Sequence, residues 1–180
     1  MLKFLIAGLT VSSCLLAQES PFSANIKAEY GLAKGVIVRA ADKMPEANYG
    51  FKPTDDVRSF GQLVGHVADA QYLFCSSAAG EKSPATGSIE QTKTTKADLV
   101  AALKDAFAYC DTVYNGMTDT IAAQTVKFFG RDTTKLGVLA FSNMHDYEHY
   151  GNMVTYMRLK NIVPPSSEQQ QRPAAAPAKK

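Results

Sequence analysis

The relative direction of two predicted helices depends on the fifteen residues that connect them, GEKSPATGSIEQTKT at positions 80–94. It is rich in Gly, Ser, Thr and Lys, and it separates two segments whose apolar residues recur with helical spacing. Antiparallel neighbouring helices need a much shorter link. At about 3.3 Å per residue, this link can cross the roughly 30 Å length of a 20-residue helix. The stretch therefore predicts that the helices on its two sides run parallel.

Four segments have apolar residues at steps of three and four, and none is predicted to form a strand. Ser59 and Thr95 are suitable N-caps for the second and third segments. Four amphipathic helices of about 20 residues predict an all-α protein built as a four-helix bundle. The predicted helices run from about Ser23 to Met44, from Ser59 to Ala79, from Thr95 to Asn115, and from after Thr134 to about Ile162.

The composition limits the classes of function. Of the 180 residues, 46% are hydrophobic and 20% are charged, which is enough for one domain with a sizeable core. The chain has 19 Lys and Arg against 17 Asp and Glu, and these charges are scattered. A nucleic-acid-binding surface would show clustered basic residues instead. We therefore expect no nucleic-acid partner.

The first residues of the chain have the pattern of an export signal. Lys3, a short apolar run and then small residues predict a signal peptide over 1–17, cleaved after Ala17. The apolar run is too short to span a bilayer as a helix. A lipobox ending at Cys14 is the alternative, and acylation there would be the only expected membrane attachment. In both cases we expect the protein in the periplasm or outside the cell.

The last residues of the chain differ in composition from the part before them. Residues 164–180 carry four of the eight prolines together with Gln and Ala, and they offer no apolar face. Such a composition predicts a disordered tail. The helical bundle is therefore expected over 18–163.

Two cysteines occupy matching levels of two predicted helices. Cys75 lies 16 residues into the second helix and Cys110 lies 15 residues into the third. Parallel helices would bring the two residues level, where a disulfide can form in an oxidising compartment. The alternative is a pair of buried free thiols that pack as small apolar side chains. With export predicted, we favour the disulfide.

The three histidines of the chain all fall on predicted helices. His145 and His149 are four residues apart, so their imidazoles lie one turn apart on one face of the fourth helix. His66 lies at the edge of the apolar face of the second helix, flanked by Gly61 and Gly65, which suit a close neighbour or a roomy pocket. Three imidazoles around one ion leave room for water or substrate, as in catalytic metal sites. The alternative is three histidines that bind no metal and are satisfied by hydrogen bonds.

Two carboxylates adjoin the histidine pair in sequence. Asp146 and Glu148 each project about 100° away from their histidine neighbours. Either could accept a hydrogen bond from an imidazole N–H and orient the ring. We favour the alternative, that both are solvated surface groups. Glu148 is also the one candidate for a catalytic residue, and no residues are assigned to an organic cofactor.

Two stretches resemble the DinB/YfiT-like family: FGQLVGHVADA at 60–70 and HDYEHYGNMVTYMR at 145–158. The resemblance covers about 23–165 and implies a four-helix bundle with up-down-down-up connectivity. It also implies that His66, His145 and His149 form the family's metal triad, with zinc or nickel favoured and iron another option. Characterised relatives include thiol-linked transferases and a maleylpyruvate isomerase, which act on cytoplasmic thiols.

The same histidine motif also fits the H-x-x-E-H pattern of a class of zinc peptidases. In such an enzyme Glu148 would be the general base, and a glutamate farther along the chain would be the third ligand. The only glutamate after His149 is Glu168, in the predicted tail. The peptidase interpretation is therefore disfavoured.

Together these features predict an exported, metal-dependent enzyme of hydrolase or transferase type, which uses a metal-bound water on an unidentified small molecule. The alternative is a non-catalytic envelope protein that binds a metal or a small ligand in the bundle. The oligomeric state is left open, with a homodimer as one option because bundles of this kind often dimerise. The sequence does not identify the substrate.

Overall fold

Four long helices packed side by side form most of the chain that the computed structural model describes, residues 20–170. The prediction of an all-α bundle is confirmed. The elements are α1 (Pro21–Lys43), a 3-10 turn (Glu46–Asn48), α2 (Phe60–Ala79), α3 (Ile89–Thr92), α4 (Lys96–Gly116), α5 (Asp119–Ala122), β1 (Thr125–Phe128), β2 (Arg131–Thr134), α6 (Lys135–Leu159) and α7 (Pro165–Gln170).

The caps that the sequence suggests are present. Ser59 and Gln62 form a capping box at the start of α2, and Gly80 ends that helix in the left-handed conformation with φ of 79°. The Thr95 hydroxyl accepts a hydrogen bond from the Asp98 backbone N–H at the start of α4. The boundaries of the two helices therefore follow from local sequence.

The helices α2 and α4 are parallel neighbours. Near their starts Gly61 lies against Leu99, and near their ends the Cα atoms of Cys75 and Cys110 are 5.4 Å apart. The two cysteines form a disulfide and are fully buried. The parallel arrangement and the predicted disulfide are confirmed together.

The helix α1 packs antiparallel to α4. Near the middle of both helices the Tyr30 hydroxyl donates to the carbonyl of Phe107 at 2.8 Å. Lys96 Nζ, at the start of α4, donates to the carbonyl of Met44, just after the end of α1, at 2.8 Å. The Tyr30 ring also stacks on Tyr114, one of the largest fully buried side chains of the core.

The helix α6 runs parallel to α1. Near their starts Asn143 Nδ2 donates to the carbonyl of Ile26 at 3.0 Å, and beyond their ends Lys43 Nζ donates to the carbonyl of Val163 at 2.7 Å.

Two further hydrogen bonds show that α6 is antiparallel to α2. Lys135 Nζ, at the start of α6, donates to the carbonyl of Ala79 at the end of α2. Late in α6 the Tyr156 hydroxyl donates to the carbonyl of Arg58, just before α2. The connectivity is therefore up-down-down-up, with α1 diagonally opposite α2 and α4 diagonally opposite α6.

A short antiparallel hairpin precedes α6, so the prediction that no strand forms is wrong. Strand β1 (Thr125–Phe128) pairs with β2 (Arg131–Thr134). The two-residue turn has positive φ at Phe129 (47°) and Gly130 (75°). Each strand has only four residues, which is too short for a clear alternating pattern. A Phe-Gly turn also lacks the Asn-Gly or Asp-Gly signal of such hairpins.

The predicted disordered tail begins with a helix instead, so the boundary at residue 163 is too early. Ser166 in α7 exchanges two hydrogen bonds of 2.9 Å with the hydroxyl of Tyr150 in α6. Glu168 forms an ion pair with Lys43 of α1. These contacts order a segment that has no apolar face of its own. Residues 171–180 lie outside the described part.

The predicted signal peptide and Cys14 also lie outside the described residues. Within 20–170, none of the helices combines the length and the apolar character that crossing a membrane would require.

Candidate metal centre

The three predicted histidine ligands meet between α2 and α6. The Nε2 atom of His145 lies 3.2 Å from Nε2 of His66 and 3.0 Å from Nε2 of His149. His149 is buried and the other two are partly buried. The antiparallel packing of α2 on α6 brings His66 across to the pair on α6. Three imidazoles thus present the same nitrogen to one point.

This arrangement fits a metal ion. An ion bound to nitrogen at about 2.0–2.1 Å with tetrahedral angles would hold its ligand nitrogens about 3.3 Å apart. The observed separations of 3.0 and 3.2 Å are close to that value. The three histidines could therefore hold a metal ion. The same separations also suit a hydrogen bond from an Nε2–H of one imidazole to an unprotonated Nε2 of the next when no ion is bound.

Glu90 sets the orientation of His66. Its Oε2 lies 3.1 Å from His66 Nδ1, and its Oε1 accepts a hydrogen bond of 2.8 Å from Arg58 Nε. A carboxylate only accepts, so Nδ1 carries the proton and Nε2 keeps its lone pair for the centre. This is the usual way in which a metal-binding imidazole is oriented.

Glu90 is placed by the connection between α2 and α4. The carboxylate of Asp69 accepts hydrogen bonds from Ser88 Oγ and from the backbone N–H groups of Ile89 and Glu90, which fixes the start of α3. The chain then passes so close to α2 that a Cβ on Gly65 would lie 2.7 Å from Glu90 Cα. Gly65 therefore has the close neighbour that its position beside His66 suggested.

Sequence reasoning missed Glu90, because it lies in the connection and far from the histidine motifs. Two signals were available. Ser88 followed by Gln91 has the spacing of a capped helix start, and Ser88 does accept a hydrogen bond from the Gln91 backbone. Gly65 within α2 indicated that another segment approaches the helix.

Of the two carboxylates that adjoin the histidine pair in sequence, Glu148 is the surface group that we expected and Asp146 is not. Asp146 is fully buried: its Oδ1 accepts a hydrogen bond of 2.6 Å from Gln71 Nε2, and its Oδ2 has no hydrogen-bond partner among the described residues, so it does not orient an imidazole. Burial raises its pKa well above the usual value. Glu148 is exposed. Glu168 pairs with Lys43 on α1, so it is not the third ligand of a peptidase site.

The histidines on α6 are kept neutral by their surroundings. Burial, and then the imidazoles of His149 and His66, lower the pKa of His145 to about 3. Burial and the His66 imidazole lower the pKa of His149 to about 4. Their Nδ1 atoms are buried and have no hydrogen-bond partner among the described residues. Neutral imidazole is the form that binds a metal.

A polar cleft opens beside His149 on the side of the α2 N-terminus. It has a volume of about 560 Å³. Side chains of both charges line it, so it is suited to a polar small molecule. The lining includes Lys52, Asp55, Arg58, Gln62, Glu90, Glu148, Asn152 and Tyr156.

An aromatic cluster lies on the other side of the histidines, and we define it as Phe74, Phe128, Phe129 and Phe141. The Phe74 ring meets the His145 ring edge-on, with centroids 5.1 Å apart. The site thus has a polar and an apolar side along the seam between α2 and α6.

Fold and site together define a class: helical-bundle proteins with a three-histidine site between two antiparallel helices. The model of the DinB superfamily matches residues 32–153 of the chain. The protein therefore belongs to the DinB superfamily, as the two histidine motifs predicted.

Two Bacillus proteins are similar to the chain. The uncharacterized protein YjoA of Bacillus subtilis (strain 168) is 26% identical over 129 residues, which are 69% of this chain and 82% of YjoA. The crystal structure of YjoA has a TM-score of 0.63 at 24% identity, with coverage of 76% of this chain and 92% of that one. A DinB-like protein from Bacillus cereus ATCC 10987 has a TM-score of 0.69 at 15% identity, with coverage of 79% and 95%.

A mycothiol-dependent maleylpyruvate isomerase is also similar in fold. Its crystal structure has a TM-score of 0.59 at 14% identity, and the match covers 73% of this chain and 60% of that one. At such identity the likeness shows a shared fold.

Proposed function

We propose that this protein is an exported, metal-dependent enzyme of hydrolase or transferase type that acts on a small molecule. His66, His145 and His149 hold a divalent ion. The observation that carries the proposal is the convergence of three Nε2 atoms at the edge of an open polar cleft. An all-imidazole site with an adjoining cleft is typical of catalytic sites, because a structural ion is closed off by a fourth protein ligand.

When bound, the ion would polarise a substrate oxygen and lower the pKa of water towards about 7. The protein side chains supply the rest. Glu90 holds the proton on His66 Nδ1, and Arg58 holds Glu90 in place. Glu148 lines the cleft and forms no ion pair among the described residues, so it is our candidate to accept a proton from the substrate.

The metal and the substrate are defined only as classes. Imidazole ligands suit zinc and nickel, and they also bind ferrous iron. The proposal does not include thiol transfer, although one protein of similar fold is mycothiol-dependent. An exported protein works apart from the cytoplasmic pool of small thiols.

Export rests on residues 1–17 and on the disulfide. The N-terminal pattern is that of a signal peptide. The buried disulfide between Cys75 and Cys110 supports this, because disulfides persist in oxidising compartments and are rare in the cytosol.

Metal analysis of the purified mature protein tests the site. We expect about one equivalent of a divalent ion in the wild type and a much lower content in a His145→Ala variant, since a ligand is lost. An Asn152→Ala variant is the control, because Asn152 lines the cleft without belonging to the histidine triad. Equal metal content in the wild type and the His145→Ala variant would contradict the proposal.

Catalysis needs its own test. Turnover of a panel of esters, amides and phosphoesters should disappear on chelation and return on adding back the ion. Stable metal binding without any metal-dependent turnover would support the non-catalytic envelope protein instead.

A further inference from the structure

The aromatic cluster is continuous with the histidine centre. The Phe74 ring lies 5.1 Å from the His145 ring and 5.3 Å from the Phe141 ring, measured between centroids. Phe141 lies one turn before His145 on α6, so both side chains are on the same face of that helix. The apolar surface therefore begins at the centre itself.

The hairpin extends this surface. The Phe141 ring lies 5.4 Å from Phe128 and 6.0 Å from Phe129, and Phe129 is 6.4 Å from Phe74. These pairs are edge-to-face, a favourable geometry for aromatic rings. They hold the tip of the hairpin against the groove between α2 and α6.

Much of this apolar surface is in contact with water. Phe129 is 66% exposed, Leu73 is 45% exposed and Phe141 is 37% exposed. Leu73 lies two turns after His66, on the same face of α2. Exposed large apolar side chains that are contiguous with a binding site favour an apolar ligand group.

The backbone of Phe129 strengthens this argument. Its φ of 47° lies in the left-handed region, which costs a residue with a large side chain on the order of 1 kcal/mol or more. Asn or Asp before the glycine is the favoured choice in such a two-residue turn. A phenylalanine at this position makes the turn less stable than Asn or Asp would, but it places an aromatic ring beside the site.

We propose that the aromatic cluster, with Leu73, binds the apolar, ring-containing part of the ligand whose polar group reaches the three histidines. This inference rests on the proposed function and names its substrate class: an amphipathic small molecule with an aromatic or similar apolar body. The polar cleft on the far side of His149 takes the rest of its polar groups. The centre lies between the two surfaces along the α2–α6 seam.

Two hydroxamates test the inference on the zinc-loaded protein. Acetohydroxamate has only a methyl group beside its metal-binding group, whereas the two linked rings of 4-phenylbenzohydroxamate are long enough to reach from the ion past Phe141. We expect the second probe to bind at least about tenfold more tightly, because its rings bury apolar surface. Isothermal titration calorimetry measures both affinities.

A Phe129→Asn variant separates ligand binding from folding. We expect it to lose most of the preference for the two-ring probe, with zinc content and acetohydroxamate affinity unchanged. We also expect it to fold with a Tm close to that of the wild type, because Asn-Gly suits the turn and offsets the loss of the Phe129 ring contacts. Phe22→Asn is the matched control: Phe22 is 68% exposed at the start of α1, remote from the centre, and its loss should leave the preference intact.

A Leu73→Gln variant gives a second measurement outside the turn, and it should also reduce the preference. Equal binding of the two probes by the wild type would overturn the inference but not the proposed metal site. The same holds if both Phe129→Asn and Leu73→Gln keep the full preference for the two-ring probe. Absence of zinc and of binding by either hydroxamate would overturn the proposed function and the inference with it.

Discussion

Glu90 controls which nitrogen of His66 faces the other two imidazoles. It holds the proton on Nδ1 at 3.1 Å and is itself held by Arg58. The corresponding nitrogens of His145 and His149 have no such partner among the described residues. The orientation of the triad therefore depends strongly on one carboxylate.

Replacement of Glu90 should weaken metal binding. We expect Glu90→Ala to lower zinc affinity by about 10- to 100-fold, as is usual when a partner of a metal-binding imidazole is lost. Glu90→Gln should lose less, because its amide oxygen can still accept from Nδ1–H. Competition titration with a chromophoric chelator measures the affinity. Glu46→Gln, on an exposed residue of the 3-10 turn, is the control, and an unchanged affinity in Glu90→Ala would refute the assignment.

The three histidines of the site could be predicted from sequence, but the carboxylate that orients His66 could not. His145 and His149 share a helix, so the helical period alone places their side chains together. Glu90 reaches His66 only because Asp69 fixes the start of α3 against α2. That contact joins residues in two separate elements, and no local pattern encodes it.

The connection between α2 and α4 forms part of the site, because its backbone at Glu90 packs closely against α2 at Gly65. Residues 80–94 pass over α2 at Gly65, where a Cβ would lie 2.7 Å from Glu90 Cα and 2.9 Å from Glu90 N. Backbone atoms cannot move aside as a flexible side chain can. The absence of a side chain at residue 65 is thus a condition for placing Glu90.

A Gly65→Ala variant should therefore displace α3. We expect a loss of about 1–3 kcal/mol in the free energy of unfolding, from overpacking, together with weaker zinc binding. Gly31→Ala is the matched control in α1, because a Cβ there meets nothing within 4 Å. It should be neutral or stabilise by up to about 1 kcal/mol. Urea unfolding measures both, and a Gly65→Ala variant as stable as the wild type would contradict this account.

The long helices were predictable, whereas the short elements were not. Each long helix repeats its apolar pattern over several turns and has local caps. The hairpin has four residues per strand and a turn with Phe129 in place of Asn, so its pairing depends on Phe128 and Phe129 packing on the bundle. Helix α7 likewise depends on Tyr150 and Lys43, which belong to α6 and α1.

The disulfide ties together the two parallel helices of the bundle. Cys75 and Cys110 are 35 residues apart, and both are fully buried. Closing a loop of this size in the unfolded chain removes conformational entropy. The parallel topology, predicted from the length of the connection, is what brings the two cysteines level.

Removal of the disulfide should reduce stability considerably. We expect a Cys75→Ala/Cys110→Ala variant to lose about 3–4 kcal/mol in the free energy of unfolding, measured with urea at equilibrium. Thiol titration of the denatured, unreduced mature protein should detect neither cysteine. Two reactive thiols, or an unfolding midpoint equal to that of the wild type, would show that the bridge is absent in solution.

The diagonal placement of α1 and α2 determines how the bundle can assemble. In a bundle of successive hairpins each helix packs on the next one in sequence. Here α1 forms hydrogen bonds with much later residues: Tyr30 with Phe107, 77 residues away, and Ile26 with Asn143, 117 residues away. Such non-local contacts slow folding. The helices α2 and α4 can associate first, and their disulfide can join them before α6 packs against them. Two of the three imidazoles belong to α6, so the site is complete only after α6 has packed. We therefore expect a metal ion to bind to a bundle that is already formed rather than to nucleate its folding.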